Sequence, residues 1–357
     1  MSDKKDDSGE LSIDSIKDVV KPSPQLEAAR NECARLSKLI KRYKLQLGER
    51  SESFEKVSNE LEEMKMDPVR VKPYTPRKKS SGLGMSALPM FSDLHIGEII
   101  DPIEIEGINA FDWEICNDRV FNQYLPSFIE TTNAKRHRNS IDECVIACLG
   151  DYVSGDIHKE LEVTNEWPSP KASCMAGQLM GQVIMQLAQN FKKVRVEWIC
   201  YGNHDRMTVR NQYKQASMNC YGYIVGFIAK QITSLQPNVT FNMHMGLEEL
   251  ITVQGFNYLL THGHQIKGWA GIPYYGVERK VAKESVARMQ LPNSRFRKML
   301  IGHFHTPVEA PQYIINGSLT GTTEFDHGCG RYGPPCQRAF YVHPKYAELD
   351  HNVFYLT

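Results

Sequence analysis

Five short apolar runs, each followed by side chains that can bind a metal, constrain this chain more than any other feature. The runs are 86–91, 144–149, 194–201, 257–260 and 298–301. They lead into Ser92-Asp93-Leu94-His95, Gly150-Asp151, Gly202-Asn203-His204-Asp205, Thr261-His262-Gly263-His264 and Gly302-His303-Phe304-His305. Ligands of α/β proteins bind beyond the carboxyl ends of the strands. The five endings therefore predict one shared site.

The side chains at these endings indicate the chemistry of that site. In Asp93-Leu94-His95 and in His303-Phe304-His305, residues two apart on an extended segment lie on the same side. Carboxylate, imidazole and amide oxygen without thiolate suit Mn, Fe, Zn, Mg or Ni rather than a structural zinc. A single such pair is as easily a surface histidine or a turn aspartate, but five in order are not explained that way.

Composition excludes several classes of protein. The 42 basic residues balance the 42 acidic ones, so only a local patch can attract nucleic acid. The N-terminus is polar and no apolar run approaches the ~20 residues of a membrane span, so we expect a cytoplasmic protein without membrane contact. The nine cysteines are scattered and never spaced as CxxC, which predicts buried free thiols and no cysteine zinc site.

Four segments are predicted along the chain. Residues 1–23 are polar and expected to be disordered, and residues 85–357 alternate apolar runs with helix-like segments, as an α/β domain does. Residues 24–66 carry a seven-residue apolar repeat, which predicts a coiled-coil helix and a homo-oligomer. A helix hairpin broken at Gly48, or a helix lying along its own domain, is the alternative. Residues 67–84 form a basic Pro/Gly linker, either a solvated tether or an arm on a phosphate backbone.

The five endings, in their order, resemble the calcineurin-like metallophosphoesterases. The resemblance implies four layers, with two packed mixed β-sheets flanked by helices, and hydrolysis of a phosphoester by a hydroxide that bridges two divalent metals, most simply Mn. It assigns Asp93, His95 and His305 to the first metal, Asp151 to the bridge, and Asn203, His262 and His303 to the second metal. It also places His204 over the metals against the scissile phosphate, with Asp205 orienting its ring.

The motif details bear on the substrate. Protein phosphatases of the superfamily carry GDxVDRG and GNHE, whereas this chain has Gly150-Asp-Tyr-Val-Ser-Gly-Asp156 and ends the third motif at Asp205. The forms found here resemble the nuclease subunit of double-strand-break-processing complexes and phosphoesterases of tailed phages, which would act in the host cytoplasm. We therefore expect a DNA exonuclease, endonuclease or phosphodiesterase. A phosphomonoesterase acting on a phosphoprotein or small molecule, and a catalytically silent coiled-coil scaffold, are the alternatives.

Four further residues are candidate substrate contacts. His264 follows the histidine–glycine motif. Arg206 follows Asp205, and it could take the role of the arginine that the second motif lacks. Asp156 and His158 form a second D-x-H in the insertion 152–193, where a polar loop opening a helix is the simpler interpretation. Each is predicted either to contact substrate or to serve only its own loop.

Overall fold

The computed structural model describes residues 84–267 and 273–357, and in the N-terminal part Lys38 alone. The chain divides into two compact units, Met1–Glu55 and Lys56–Thr357, and the two long described ranges belong to the second. The predicted tail 1–23, the coiled-coil seam 24–66 apart from Lys38, and the linker up to residue 83 lie outside the described residues. These assignments stay predictions.

Six strands form the first sheet, in the order β11-β10-β1-β2-β3-β4. They are β1 (Gly84–Phe91), β2 (Ser140–Cys148), β3 (Lys193–Ile199), β4 (Val239–His244), β10 (Cys336–His343) and β11 (Ala347–Tyr355). Strands β1 to β4 run parallel, while β10 is antiparallel to both β1 and β11. The carboxyl ends of β1, β2 and β3 therefore share one edge.

The second sheet has the order β5-β6-β7-β9-β8. Its strands are β5 (Glu248–Val253), β6 (Phe256–Thr261), β7 (Lys298–Ile301), β8 (Val308–Glu309) and β9 (Tyr313–Ile315). The central pairs β6–β7 and β7–β9 are parallel and the two outer pairs are antiparallel. Both sheets are mixed, as predicted, and each of the five predicted runs forms a strand.

Helices occupy the connections between strands. They are α1 (Trp113–Asn117), a π-helix (Asp118–Tyr124), α2 (Leu125–Lys135), α3 (Lys159–Thr164), α4 (Ser169–Asn190), a 3₁₀ turn (Ala216–Met218), α5 (Tyr221–Thr233), α6 (Tyr274–Met289) and α7 (Glu324–Gly328). The longest, α4, packs on α5, where Gly177 and Gly181 admit Ile228 and Ile232. Among the described residues, no helix combines the length and the apolar character that crossing a membrane needs.

In the described residues, three apolar cores lie between neighbouring layers, which confirms the predicted four-layer α/β fold. One joins the first sheet to its covering helices, with Ile146 and Val196 packed with Met180 and Val225. A second fills the space between the sheets, where Leu88, Val145 and Ile199 meet Ile251, Leu260 and Leu300. The third packs Val277 and Val281 of α6 on the far side of the second sheet. Every described cysteine is a free thiol and only Cys329 is exposed, as predicted for those residues.

Candidate metal centre

The loops that follow the five strands are joined by backbone hydrogen bonds. The Asp93 amide donates to the Gly150 carbonyl at 3.0 Å, and the Leu94 amide donates to the Asp151 carbonyl at 2.8 Å. On the second sheet, the Gly302 amide donates to the His262 carbonyl at 2.9 Å. The two sheets meet here because the His303 amide donates to the Asp93 carboxylate at 2.9 Å. The predicted ligands are thus held by backbone as well as by their strands.

Five of the predicted metal ligands have left-handed backbone conformations. Their φ angles are 54° for Asp93, 45° for His95, 54° for Asp151, 69° for His303 and 57° for His305. A non-glycine residue in this region costs on the order of 1–3 kcal/mol and persists only where its surroundings enforce it. The strain is concentrated where the side chains converge, which is typical of a functional site.

The first group of candidate ligands is Asp93, His95 and His305, whose ligand atoms lie within 4.8 Å of one another. Nε2 of His95 lies 3.2 Å from Nε2 of His305, and the latter atom lies 3.5 Å from Oδ1 of Asp93. Two imidazole nitrogens at this separation need a shared proton or a shared cation between them. The structure therefore brings together the three residues predicted for the first metal.

The second group is Asp151, His262 and His303, again within 4.8 Å. Nδ1 of His262 donates to the Leu149 carbonyl at 2.8 Å, which directs Nε2 into the site. That nitrogen lies 3.0 Å from Oδ2 of Asp151 and 3.1 Å from Oδ1 of Asn203. The four residues predicted to surround the second metal, the bridging aspartate included, are thus adjacent.

Asp151 lies between the two groups. A third cluster joins it to His95 and His204, so Asp151 belongs to two of the three clusters that could hold a cation among the described residues. Burial alone would raise the pKa of Asp151, but His262 and His204 hold that pKa well below its usual value. Gly202 makes room for it, because a Cβ at that position would overlap the Asp151 carboxylate. Asp151 is therefore adjacent to ligands of both groups, and its bridging role stays a prediction.

His204 lies beside this centre, but its orienting partner differs from the prediction. Its amide donates to Oδ1 of Asp151 at 2.8 Å, and its Nδ1 donates to the Ser154 carbonyl at 2.7 Å. The Asp205 carboxylate instead accepts hydrogen bonds from the backbone amides of 151, 152, 153 and 202. The expectation that Asp205 orients the imidazole is therefore wrong, because four loop amides occupy its oxygens. Asp205 shapes the Asp151 loop.

The histidines divide by electrostatic environment. Burial lowers the pKa of His95, His303 and His204, and neighbouring imidazoles lower those values further. Burial would also lower the pKa of His262, but Asp151 raises it to about 9. Asp93 likewise raises the pKa of His305 against burial. The site therefore combines imidazoles whose lowered pKa leaves them free to bind a cation with His262 and His305, whose raised pKa favours a proton that a cation would displace.

The candidate substrate residues are spread around this centre. Arg206 donates to the backbone carbonyls of Asn203 and Thr208 at 2.9 and 3.0 Å, so it holds its own loop. Asp156 accepts from the hydroxyls of Tyr221 and Ser169, while His158 is exposed at the start of α3.

His264 packs directly against one of the predicted ligands. Its ring stacks on that of His262 at 5.7 Å between centroids, and its buried Nδ1 has no hydrogen-bond partner among the described residues. Burial lowers the pKa of His264 to about 4, so the ring is a neutral neighbour of the second group.

Several groups around the metal centre belong to no sequence motif. Glu98 places Oε2 3.5 Å from Nδ1 of His95, and burial raises its pKa to about 8. The Leu149 and Ser154 carbonyls act through backbone, which no side-chain pattern reveals. Asn316 donates to Ser92 and Gln337 in a fully buried network directly behind Asp93.

No family model matches this chain, and no curated protein matches it. Among solved structures, Vps29 complexed with zinc from Entamoeba histolytica has 12% identity over 75% of this chain and 97% of its own, with a TM-score of 0.27. Vacuolar Protein Sorting 29 from Cryptosporidium parvum has 13% identity over 75% and 95%, with a TM-score of 0.30. A predicted phosphoesterase from Streptococcus pneumoniae has 12% identity over 76% and 98%, with a TM-score of 0.25. At these TM-scores the similarity assigns no family and no function to this chain.

Proposed function

We propose that this protein is a metal-dependent phosphoesterase, with two divalent cations in the site and a nucleic acid phosphodiester as its substrate. One observation carries the proposal: Asp151 is shared by two clusters of candidate ligands and lies hydrogen-bonded to the backbone of His204. A shared carboxylate with a separate histidine beside it is the arrangement that two-metal hydrolysis needs. The sequence motifs support the choice of family, and the geometry supports the choice of site.

The residues fit divalent cations on their own chemistry. Oδ2 of Asp151 is buried and faces Nε2 of His262 at 3.0 Å. Asn203 directs a second oxygen at the same nitrogen. Since Nδ1 of His262 is committed to Leu149, Nε2 faces both oxygens, and a proton or a cation must lie among them. A divalent metal meets that requirement.

The chain's own groups then have separate tasks. Asp93, His95 and His305 would hold one cation, and Asn203, His262 and His303 the other, with Asp151 between. Two such cations would supply the charge that makes a water acidic enough to attack phosphorus near neutral pH. His204 presents Nε2 to the substrate because Nδ1 is bound to Ser154, so Nε2 is the atom at which a proton is taken up or given to the leaving oxygen.

The direct test measures Mn-dependent hydrolysis of p-nitrophenyl phosphate, bis(p-nitrophenyl) phosphate and single- and double-stranded DNA, with EDTA controls. We expect the diester and DNA to be cleaved, and His204→Ala to reduce turnover by ~10²–10⁴-fold while Mn still binds. His137→Ala is the matched control, because His137 is exposed at the opposite edge of the first sheet.

Two results would overturn parts of the proposal. Hydrolysis of the monoester alone would replace the nuclease assignment with the phosphomonoesterase alternative. A wild-type protein that binds Mn and cleaves none of these substrates would favour the silent scaffold.

A further inference from the structure

An exposed loop begins directly after Arg206, close to His204, and has no assigned role. It spans residues 207–219, and we call it the basic loop. An antiparallel bridge between Arg206 and Cys220 closes its base. The Tyr221 amide donates to the Asp205 carbonyl at 2.6 Å, and Arg206 donates to the Asn203 carbonyl. The base of the loop is therefore fixed to the residues on either side of His204.

The composition of the basic loop is one-sided. Residues 207–219 read MTVRNQYKQASMN, with two basic residues and no acidic one. Arg210 and Lys214 are exposed, and neither has an ion pair among the described residues. Because the whole chain is neutral, with 42 basic and 42 acidic residues, this local excess is not part of a general positive field.

Exposed apolar side chains accompany those charges. Tyr213 is 74% exposed and Val209 is 90% exposed. Tyr213 stands between Arg210 and Lys214 in the sequence, so the aromatic ring and both cations belong to one short loop next to the metal centre. Successive bases of a nucleic acid strand stack on such rings while cations neutralise the backbone phosphates. Charge and aromatic surface together match that ligand better than they match a phosphopeptide, which needs only the charge.

We propose that the basic loop binds an unpaired nucleic acid strand, with Arg210 and Lys214 on backbone phosphates and Tyr213 stacked on a base. This inference rests on the proposed function, because the strand would lead its scissile phosphodiester to the metal centre. An unpaired strand is required, since the bases of a duplex do not offer their faces to a side chain. The loop thereby selects a polymer where the metal centre alone selects only a phosphoester.

The test measures binding of a labelled single-stranded oligonucleotide by fluorescence anisotropy, using the full-length chain in EDTA so that hydrolysis plays no part. For the double variant Arg210→Gln/Lys214→Gln we expect roughly tenfold weaker binding. The slope of log K against log salt should become shallower by about 1.4, because the variant loses two phosphate contacts and each contributes about 0.7 to the slope. For Tyr213→Ala we expect roughly tenfold weaker binding with the salt slope unchanged.

The chain offers a matched control at the other end of the sheet. Lys345 and Tyr346 are also an exposed basic–aromatic pair, with the ammonium 5.3 Å from the ring centroid. They follow β10, whose end pairs with the beginning of β1, away from the loops that carry the ligands. Lys345→Gln and Tyr346→Ala should leave both the affinity and the salt slope unchanged.

The outcomes separate this inference from the proposed function. Wild-type protein that binds no oligonucleotide, or loop variants that bind as wild type does, would overturn the inference. A loss in the charge variant with none in Tyr213→Ala, together with equal binding of a phosphopeptide, would overturn it in favour of a phosphoprotein. The same titration with duplex DNA and with single-stranded RNA shows which kind of strand the loop binds. Hydrolysis of bis(p-nitrophenyl) phosphate tests the metal centre separately, and the loop variants should retain it.

Discussion

Nδ1 of His262 donates a hydrogen bond to the carbonyl oxygen of Leu149 at 2.8 Å. This contact fixes the ring so that Nε2 faces Asp151 and Asn203, on the opposite side of the imidazole. A residue of one sheet thereby sets the orientation of a ligand on the other. The orientation also determines how the site responds to pH.

Metal affinity should rise with pH below about 9. Asp151 raises the pKa of His262 to about 9 in the metal-free protein, so near neutral pH a cation must displace a proton from Nε2. We expect the association constant to increase about tenfold per pH unit between about pH 6.5 and 8.5, and to level off above pH 9. Calorimetry in buffers of different ionisation enthalpy should show at least one proton released per chain at pH 7.5. A pH-independent affinity without proton release would contradict this arrangement.

Gly202→Ala should weaken metal binding at the second group. An added Cβ would overlap the carboxylate and the amide of Asp151, and both belong to the loop that Asp205 holds. Overpacking of this kind costs about 1–3 kcal/mol of unfolding free energy, and displacing Asp151 should weaken Mn binding at least tenfold. Gly84→Ala is the control, because a Cβ at Gly84 meets nothing within 4 Å. Equal Mn affinities for the two variants would argue against a close Gly202–Asp151 contact.

The buried amide of Gln337 should contribute strongly to stability. It accepts from Asn316 at 2.7 Å and donates to the Ser92 carbonyl at 3.0 Å, with all three residues fully buried. Gln337→Leu leaves those partners unsatisfied, so we expect a loss of about 2–3 kcal/mol in urea denaturation. Thr252→Val removes an exposed hydrogen bond to Asn257 and should cost less than about 0.5 kcal/mol. Similar losses for both variants would show that the network is not what stabilises this corner.

The side-chain types at the strand ends were enough to predict the fold class and to predict that the candidate ligands lie close together. Asp93, Asp151, His262 and His303 could be placed because each follows an apolar run, and parallel strands deliver such residues to one edge. The seam of residues 24–66 could not be compared, since it lies outside the described residues.

Other features depend on tertiary packing and left no local pattern. The residue types of Asp93 and His305 do not predict their left-handed conformations, and the Asp93 backbone is hydrogen-bonded to Gly150 and Leu319, which are distant in the sequence. The expected Asp205–His204 pair failed for a related reason. Four amides of two loops reach the Asp205 carboxylate, and the nearest acceptor for the ring is a backbone carbonyl. Backbone partners are invisible in a sequence motif.

Anomalous diffraction from crystals grown with Mn tests the central claim most directly. We predict two anomalous peaks per chain on either side of the Asp151 carboxylate, about 3.5–4 Å apart. One peak should be bounded by Asp93, His95 and His305, and the other by Asn203, His262 and His303. Asp151→Asn should weaken both. A single peak, or peaks remote from Asp151, would contradict the two-metal account.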